Sequence, residues 1–205
     1  MKIIDISLEM GENMIIYPGD PEFTLSSVLN MSKGDDYNLS EVKMGVHTGS
    51  HLDSPLHFIS NGESVSDIPI TRFYGDCLVL DLTYINFGSE IAEEDLQSQN
   101  FVPDAIILFK TKNSSVIMDQ FRENYVTLSL DAAKVLVRSK IRAVGIDYLS
   151  IGSPDTHKLL LSNGIIIYES LVLNHVLAGI YTFIGFPLKI LGSEGAPTRA
   201  VLIQE

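Results

Sequence analysis

The sequence predicts a mixed-sheet α/β domain with flanking helices, and three observations carry that expectation. Apolar runs of strand length, rich in β-branched and aromatic residues, recur at 77–83, 105–111 and 142–147. Between the second and third lies 129–138, where Leu130, Ala133, Leu136 and Val137 fall near the helical period. Strand, helix, strand in that order is a βαβ unit. Tyr181 to Phe186 and Thr198 to Gln204 close the chain as further strands and add a meander element, for roughly nine strands and three or four helices in all. With 205 residues, no linker, no internal repeat and no low-complexity segment, the expectation is one domain spanning 1–205.

Taken in order, residues 2–8 read as a strand, 11–13 as a turn and 14–21 as an irregular loop punctuated by Pro18-Gly19 and Asp20-Pro21. Tyr17 in that loop is the candidate wall of a binding pocket. Residues 39–46 alternate as a strand does, and 61–69 form a connection marked by Asn61-Gly62 and Ile68-Pro69. A short acidic helix is expected at 92–97, and Ser129 is the expected N-cap of the helix through Arg138. Beyond 147, Asp155 is the expected cap of a helix through Leu161 that stops at Gly164, and 170–178 is expected as another helix ending at Gly179.

Lys+Arg 14 against Asp+Glu 26 gives a net charge of −12, a field that repels nucleic acid and anionic membranes, so neither is expected as a partner. No run approaches the length of a membrane span, and the N-terminus lacks a signal-peptide pattern. The single Cys77 sits in an apolar run and reads as a core thiol of a reducing compartment; the expected location is cytoplasmic. The positive mean hydropathy of +0.20 favours some partner-covered surface, hence self-association.

Chemistry concentrates in residues 47–57. His47, His51, Asp53 and His57 are spaced His-x3-His-x-Asp-x3-His, and each offers a lone pair to a divalent cation. Gly49 and Pro55 oppose a helix there, so the segment reads as a loop or single turn leaving a strand. The bland alternative is a polar turn. His157 and Glu169 could complete a metal shell, but by themselves they read more readily as a helix-surface histidine and an acid at a helix N-terminus. His175 reads as structural, and Asp147 as a carboxylate that could orient a ligand histidine.

The run from His47 to His57 resembles the His-Thr-Gly-Thr-His-x-Asp-x-Pro-x-His signature of the metal-dependent cyclase family, which includes bacterial kynurenine formamidase and isatin hydrolase. Tyr17-Pro18-Gly19-Asp20, Val144 to Asp147, Phe186 to Lys189 and Gly195 to Leu202 extend the resemblance over nearly the whole chain. It implies a swivelling β/β/α domain, with His47, His51 and Asp53 as ligands of one metal and Asp53, His157 and Glu169 as ligands of a second. It implies His57 as the catalytic histidine, zinc or manganese as the metal with one or two ions per subunit, a small-molecule substrate, and a homodimer or homotetramer.

The implied activity is hydrolysis of an amide-type C–N bond, in an arylformamide such as N-formylkynurenine or in a cyclic amide, by metal-bound hydroxide with His57 as general acid and base. The alternatives are an esterase or lactonase using the same machinery, and a non-catalytic metal or small-molecule binding protein. Two departures bear on the substrate. Tyr17 stands where formamidases typically have tryptophan, and Asp147-Tyr148-Leu149-Ser150 stands where they typically have Asp-Thr-Pro-Ser. Both positions are expected to face the pocket.

Overall fold

The computed structural model of the chain describes residues 1–117 and 121–204. Its strands and helices run β1 (Lys2–Asp5), β2 (Thr24–Leu29), β3 (Leu39–Lys43), β4 (His51–Asp53), β5 (Tyr74–Asp81), β6 (Glu90–Ile91) and α1 (Glu93–Gln97). After these come β7 (Ile106–Lys110), β8 (Thr127–Leu128), α2 (Leu130–Arg138), β9 (Ala143–Ile146), α3 (Pro154–Ser162), β10 (Ile166–Glu169), β11 (Gly179–Pro187) and β12 (Gly195–Gln204). Among the described residues no helix is long and apolar enough to cross a membrane.

The expected mixed sheet with flanking helices is present. Its strand order is β1-β12-β11-β5-β7-β9-β10-β4, and β4 also pairs with β12, so seven strands close into a barrel-like ring, with β4 on Gly195–Pro197 of β12 and β1 on Val201–Gln204. β5, β7, β9 and β10 pair in parallel, as the helical crossovers between them require, and β11, β12 and β4 pair antiparallel. Strand period divides the apolar runs between two cores. Ile106, Leu108 and Tyr168 join Leu52, Phe183 and Leu202 in one cluster. Ile107, Phe109 and Ile167 pack on the other face, against Ala133 and Leu136 of α2 and Leu160 of α3.

The structure corrects two local expectations in this region. Residues 170–178 are not helical: Ser170 turns at φ 57, Leu171 bridges to Ser7, and the Val172 N–H donates to the Ile6 carbonyl at 2.8 Å. Leu171, Leu173 and Val176 are buried in the barrel core, and long-range pairing to the N-terminal strand outcompetes the local helical pattern. The cap of α3 is Ser153, whose hydroxyl accepts from the Thr156 N–H, with Pro154 in the first turn; Asp155 lies one residue further in. His175 sits in a turn of this stretch, its Nε2 2.9 Å from the Asp5 carbonyl.

Asp147 also differs from its expected role. Its buried carboxylate accepts from Thr111 N (2.7 Å) and Oγ1 (2.8 Å) and from Ser114 N (3.1 Å) and Oγ (2.6 Å). It therefore anchors the turn after β7 to β9 rather than orienting a ligand histidine. Burial raises its pKa, against the pull of those four hydrogen bonds. Asp147→Ala leaves the donors unpaired in the interior, and the expected loss is about 3 kcal/mol or more in urea unfolding. A loss below about 1 kcal/mol would contradict this role.

Candidate metal centre

The site is built on β4. Three residues long, it pairs on one edge with β10, where His51 faces Glu169 and Asp53 faces Ile167, and on the other with β12, where Gly195 faces Asp53. Alternation puts His51 and Asp53 on one face and Leu52 on the other, in the barrel core. Directly opposed residues of antiparallel strands share a face, which brings Glu169 beside His51. The expected loop or single turn is thus a paired strand at His51–Asp53, entered through turns at 46–50 and left through a 3-10 turn at Pro55–His57. Ser50 fixes the entry: its hydroxyl donates to the Ser170 carbonyl (2.6 Å) and accepts from the Leu8 N–H (2.7 Å).

His47 comes in from the turn, its Nδ1 2.9 Å from Asp53 Oδ1 and its Nε2 3.9 Å from Glu194 Oε1. The ring lies over Gly195, where a Cβ would come within 2.6 Å of the imidazole. From α3, His157 places Nε2 3.1 Å from Glu169 Oε1 and 3.8 Å from Asp53 Oδ2. His51 Nε2 lies 3.6 Å from Asp53 Oδ1 and 3.4 Å from Glu169 Oε2. Two groups with mutually close ligand atoms result, His47–His51–Asp53 and Asp53–His157–Glu169, and they share Asp53.

Hydrogen bonds on the far side of the rings set the tautomers. His51 Nδ1 lies 2.8 Å from the Gly49 carbonyl and His157 Nδ1 2.9 Å from the Ser153 carbonyl. A carbonyl only accepts, so each Nδ1 carries a proton, and each ring turns its Nε2 inward toward the carboxylates, the orientation in which a neutral imidazole ligates a metal. Glu169 is held likewise, its Oε1 accepting from the Ile151 N–H at 2.7 Å. Among the described residues His47 Nε2, His51 Nε2 and Asp53 Oδ2 are buried without a hydrogen-bond partner. Buried orphaned acceptors of this type, converging from imidazoles and carboxylates, fit a divalent cation.

The electrostatics agree. Burial disfavours the charged form of His51, but the Glu169 carboxylate 3.4 Å away and the nearby charge of Asp53 outweigh it and raise its pKa. The same balance lifts His157 to about 9, and the two imidazoles hold Glu169 well below the usual carboxylate range despite its burial. The cluster draws positive charge, as protons or as the ion that replaces them. His57 behaves oppositely: burial, with the nearby charges of His47 and His157, outweighs Asp53 and Glu169 and lowers its pKa. Its ring centre lies 4.2 Å from that of His47 and 6.3 Å from that of His157. It takes no part in the ion-pair contacts that join the other three histidines to the carboxylates.

A cleft of about 240 Å³ opens over the cluster and His57. Tyr17 borders it, half exposed, edge-on to Phe121 with ring centres 5.7 Å apart. Of the 147–150 departure, Leu149 and Ser150 reach the cleft, whereas Tyr148 is fully buried and bonds backbone atoms of Arg122. Phe58 and Asp20 also border the cleft and were not singled out from the sequence. Phe58 follows His57 directly and lies tilted on His157 at 4.8 Å. The signal for Asp20 was its place in the Pro18-Gly19 turn that carries Tyr17.

Residues 4–153 match the model of the Cyclase family. A kynurenine formamidase of Salinibacter ruber is 32% identical over 208 residues, covering 98% of this chain and 97% of the relative. The solved structure of a potential metal-dependent hydrolase with cyclase activity superposes with a TM-score of 0.87 at 35% identity, over 100% of this chain and 98% of its own. Isatin hydrolase A from Labrenzia aggregata, solved bound to benzyl benzoate, shares the fold with a TM-score of 0.86 at 23% identity, over 100% of this chain and 94% of its own.

Proposed function

The chain belongs to the Cyclase family, and from that premise we propose that residues 1–205 form one metal-dependent hydrolase of non-peptide, amide-type C–N bonds, with an arylformamide as substrate. The observation that carries the reading is the pair of buried ligand groups sharing Asp53, with His57 beside them at the base of an aromatic-walled cleft. The kynurenine formamidase relative favours an acyclic formamide, and Tyr17 and Phe58 give a flat aryl group apolar surface to lie against.

In this reading His47, His51 and Asp53 hold one ion and Asp53, His157 and Glu169 a second, with one or two occupied. Imidazole and carboxylate donors in this mixture suit zinc or manganese. A divalent ion bound there supplies Lewis acidity toward the substrate carbonyl and lowers the pKa of water toward about 7. The remaining work falls to the protein. Gly49 and Ser153 carbonyls keep the ligand rings aimed, Leu149 and Phe58 limit water in the cleft, and the His57 imidazole takes a proton from the attacking water and delivers it to the departing amine nitrogen. The buried, unpaired Cys77 supports a reducing, cytoplasmic location.

Turnover of an arylformamide such as N-formylkynurenine is expected, abolished by chelation and restored by zinc or manganese. His57→Ala should lower kcat by about 10² to 10⁴-fold with metal content unchanged. Loss of metal in that variant would assign His57 to the coordination shell instead. Chelator-sensitive hydrolysis of an aryl ester, with neither the arylformamide nor isatin consumed, would overturn the C–N assignment.

We further propose that the chain self-associates through the β2–β3 ribbon. Both strands are exposed nearly throughout, with Leu25, Val28, Met31, Tyr37, Leu39 and Val42 in solvent, and a two-stranded ribbon is marginal alone. The chain exposes 10581 Å². That is about 1,000 Å² above the expectation for a compact monomer of its mass, comparable with one partner's share of a standard interface. Sedimentation should give a homodimer or homotetramer, and paired Leu25→Glu and Val42→Glu substitutions should dissociate it. A wild-type monomer at micromolar concentration would contradict the proposal.

A further inference from the structure

Asp20 is a charged group of the cleft that the proposed chemistry does not use. Asp53 and Glu169 are committed to the imidazoles of the cluster, whereas Asp20 borders the opening from the loop that carries Tyr17. Its backbone is fixed: the Asp20 N–H donates to the Tyr17 carbonyl at 3.0 Å across a turn made by Pro18 and by Gly19 at φ +99. A non-glycine residue at that φ would be strained, so the turn is set by sequence, and it brings Asp20 and Tyr17 to the same cleft. Among the described residues that border the cleft there is no lysine or arginine. A substrate carboxylate near the mouth would find no basic side chain there and would approach a chain of net charge −12.

Resting on the amidohydrolase reading, we propose that Asp20 is a specificity-determining residue that selects arylformamides bearing a cationic group, an ammonium above all, on the ring substituent that points to the cleft mouth. The same carboxylate disfavours anionic arylformamides. The reacting formamide sits at the metal cluster and His57, and the aryl group lies between Phe58 and Tyr17. A substituent extending outward from the ring then passes Asp20. The attraction acts across a solvent-exposed mouth, so it is modest and weakens with salt.

The test uses the metal-loaded enzyme and three formanilides that differ at one ring position, carrying an aminomethyl, a methyl or a carboxylate group. The kcat/KM values should fall in the order cation, neutral, anion, and raising ionic strength should compress the cation-to-neutral ratio. Asp20→Asn should lower that ratio about 5-fold, and Asp20→Glu should retain most of it. An unchanged ratio in Asp20→Asn, or a preference for the anion in the wild type, would overturn the inference and leave the amidohydrolase reading intact. If the variants do not fold, the wild-type salt series decides, because a ratio independent of ionic strength is incompatible with a charge at the mouth. No turnover of any of the three would overturn the amidohydrolase reading and this inference with it.

Discussion

Three residues between two neighbours set the rest of the structure. β4 is hydrogen-bonded to β10 on one side and β12 on the other, and this double pairing closes the barrel-like ring. The closure also makes the site. Leu52 is fully buried in the barrel core, and because a strand alternates, its neighbours His51 and Asp53 must face the opposite way, toward Glu169 and α3. A one-residue slip of β4 would send both candidate ligands into the apolar core and Leu52 into the cleft. Barrel closure and the ligand geometry are therefore a single constraint.

The cost of that arrangement is visible in the cluster. Asp53 and Glu169 lie buried beside three imidazoles, with raised pKa values at His51 and His157 and with orphaned acceptors. Buried ionisable groups left in that condition destabilise a fold by several kcal/mol, so the site and the stability of the native state are linked through whatever cation sits there. Asp147 is the contrasting case: a buried carboxylate whose acceptor capacity is filled by Thr111 and Ser114, and which serves architecture alone.

Much of the fold was legible because its signals are local. The runs at 105–111 and 142–147 contain β7 and β9, and the periodic stretch between them contains α2 with Ser129 as its cap. The ligand spacing from His47 to Asp53 was equally plain. What escaped depends on partners far away in sequence. Nothing near Gly49 or Pro55 announces that the residues between them pair with strands more than a hundred residues later, so β4 read as a loop. His157 and Glu169 were ambiguous for the same reason, since only the pairing of β4 with β10 and the packing of α3 bring them to Asp53. Residues 170–178 carry apolar positions that satisfy a helix or an extended chain, and the bridge from Leu171 to Ser7 decides between them.

The polar cluster around Asp53 fits a divalent-cation site better than a self-neutralised hydrogen-bond network. Elemental mass spectrometry of the purified chain, beside that of Asp53→Asn, tests it most directly. About one or two equivalents of a divalent ion per native chain are expected, falling to background in the variant. A folded wild-type chain that stays free of metal after incubation with zinc and with manganese would contradict it.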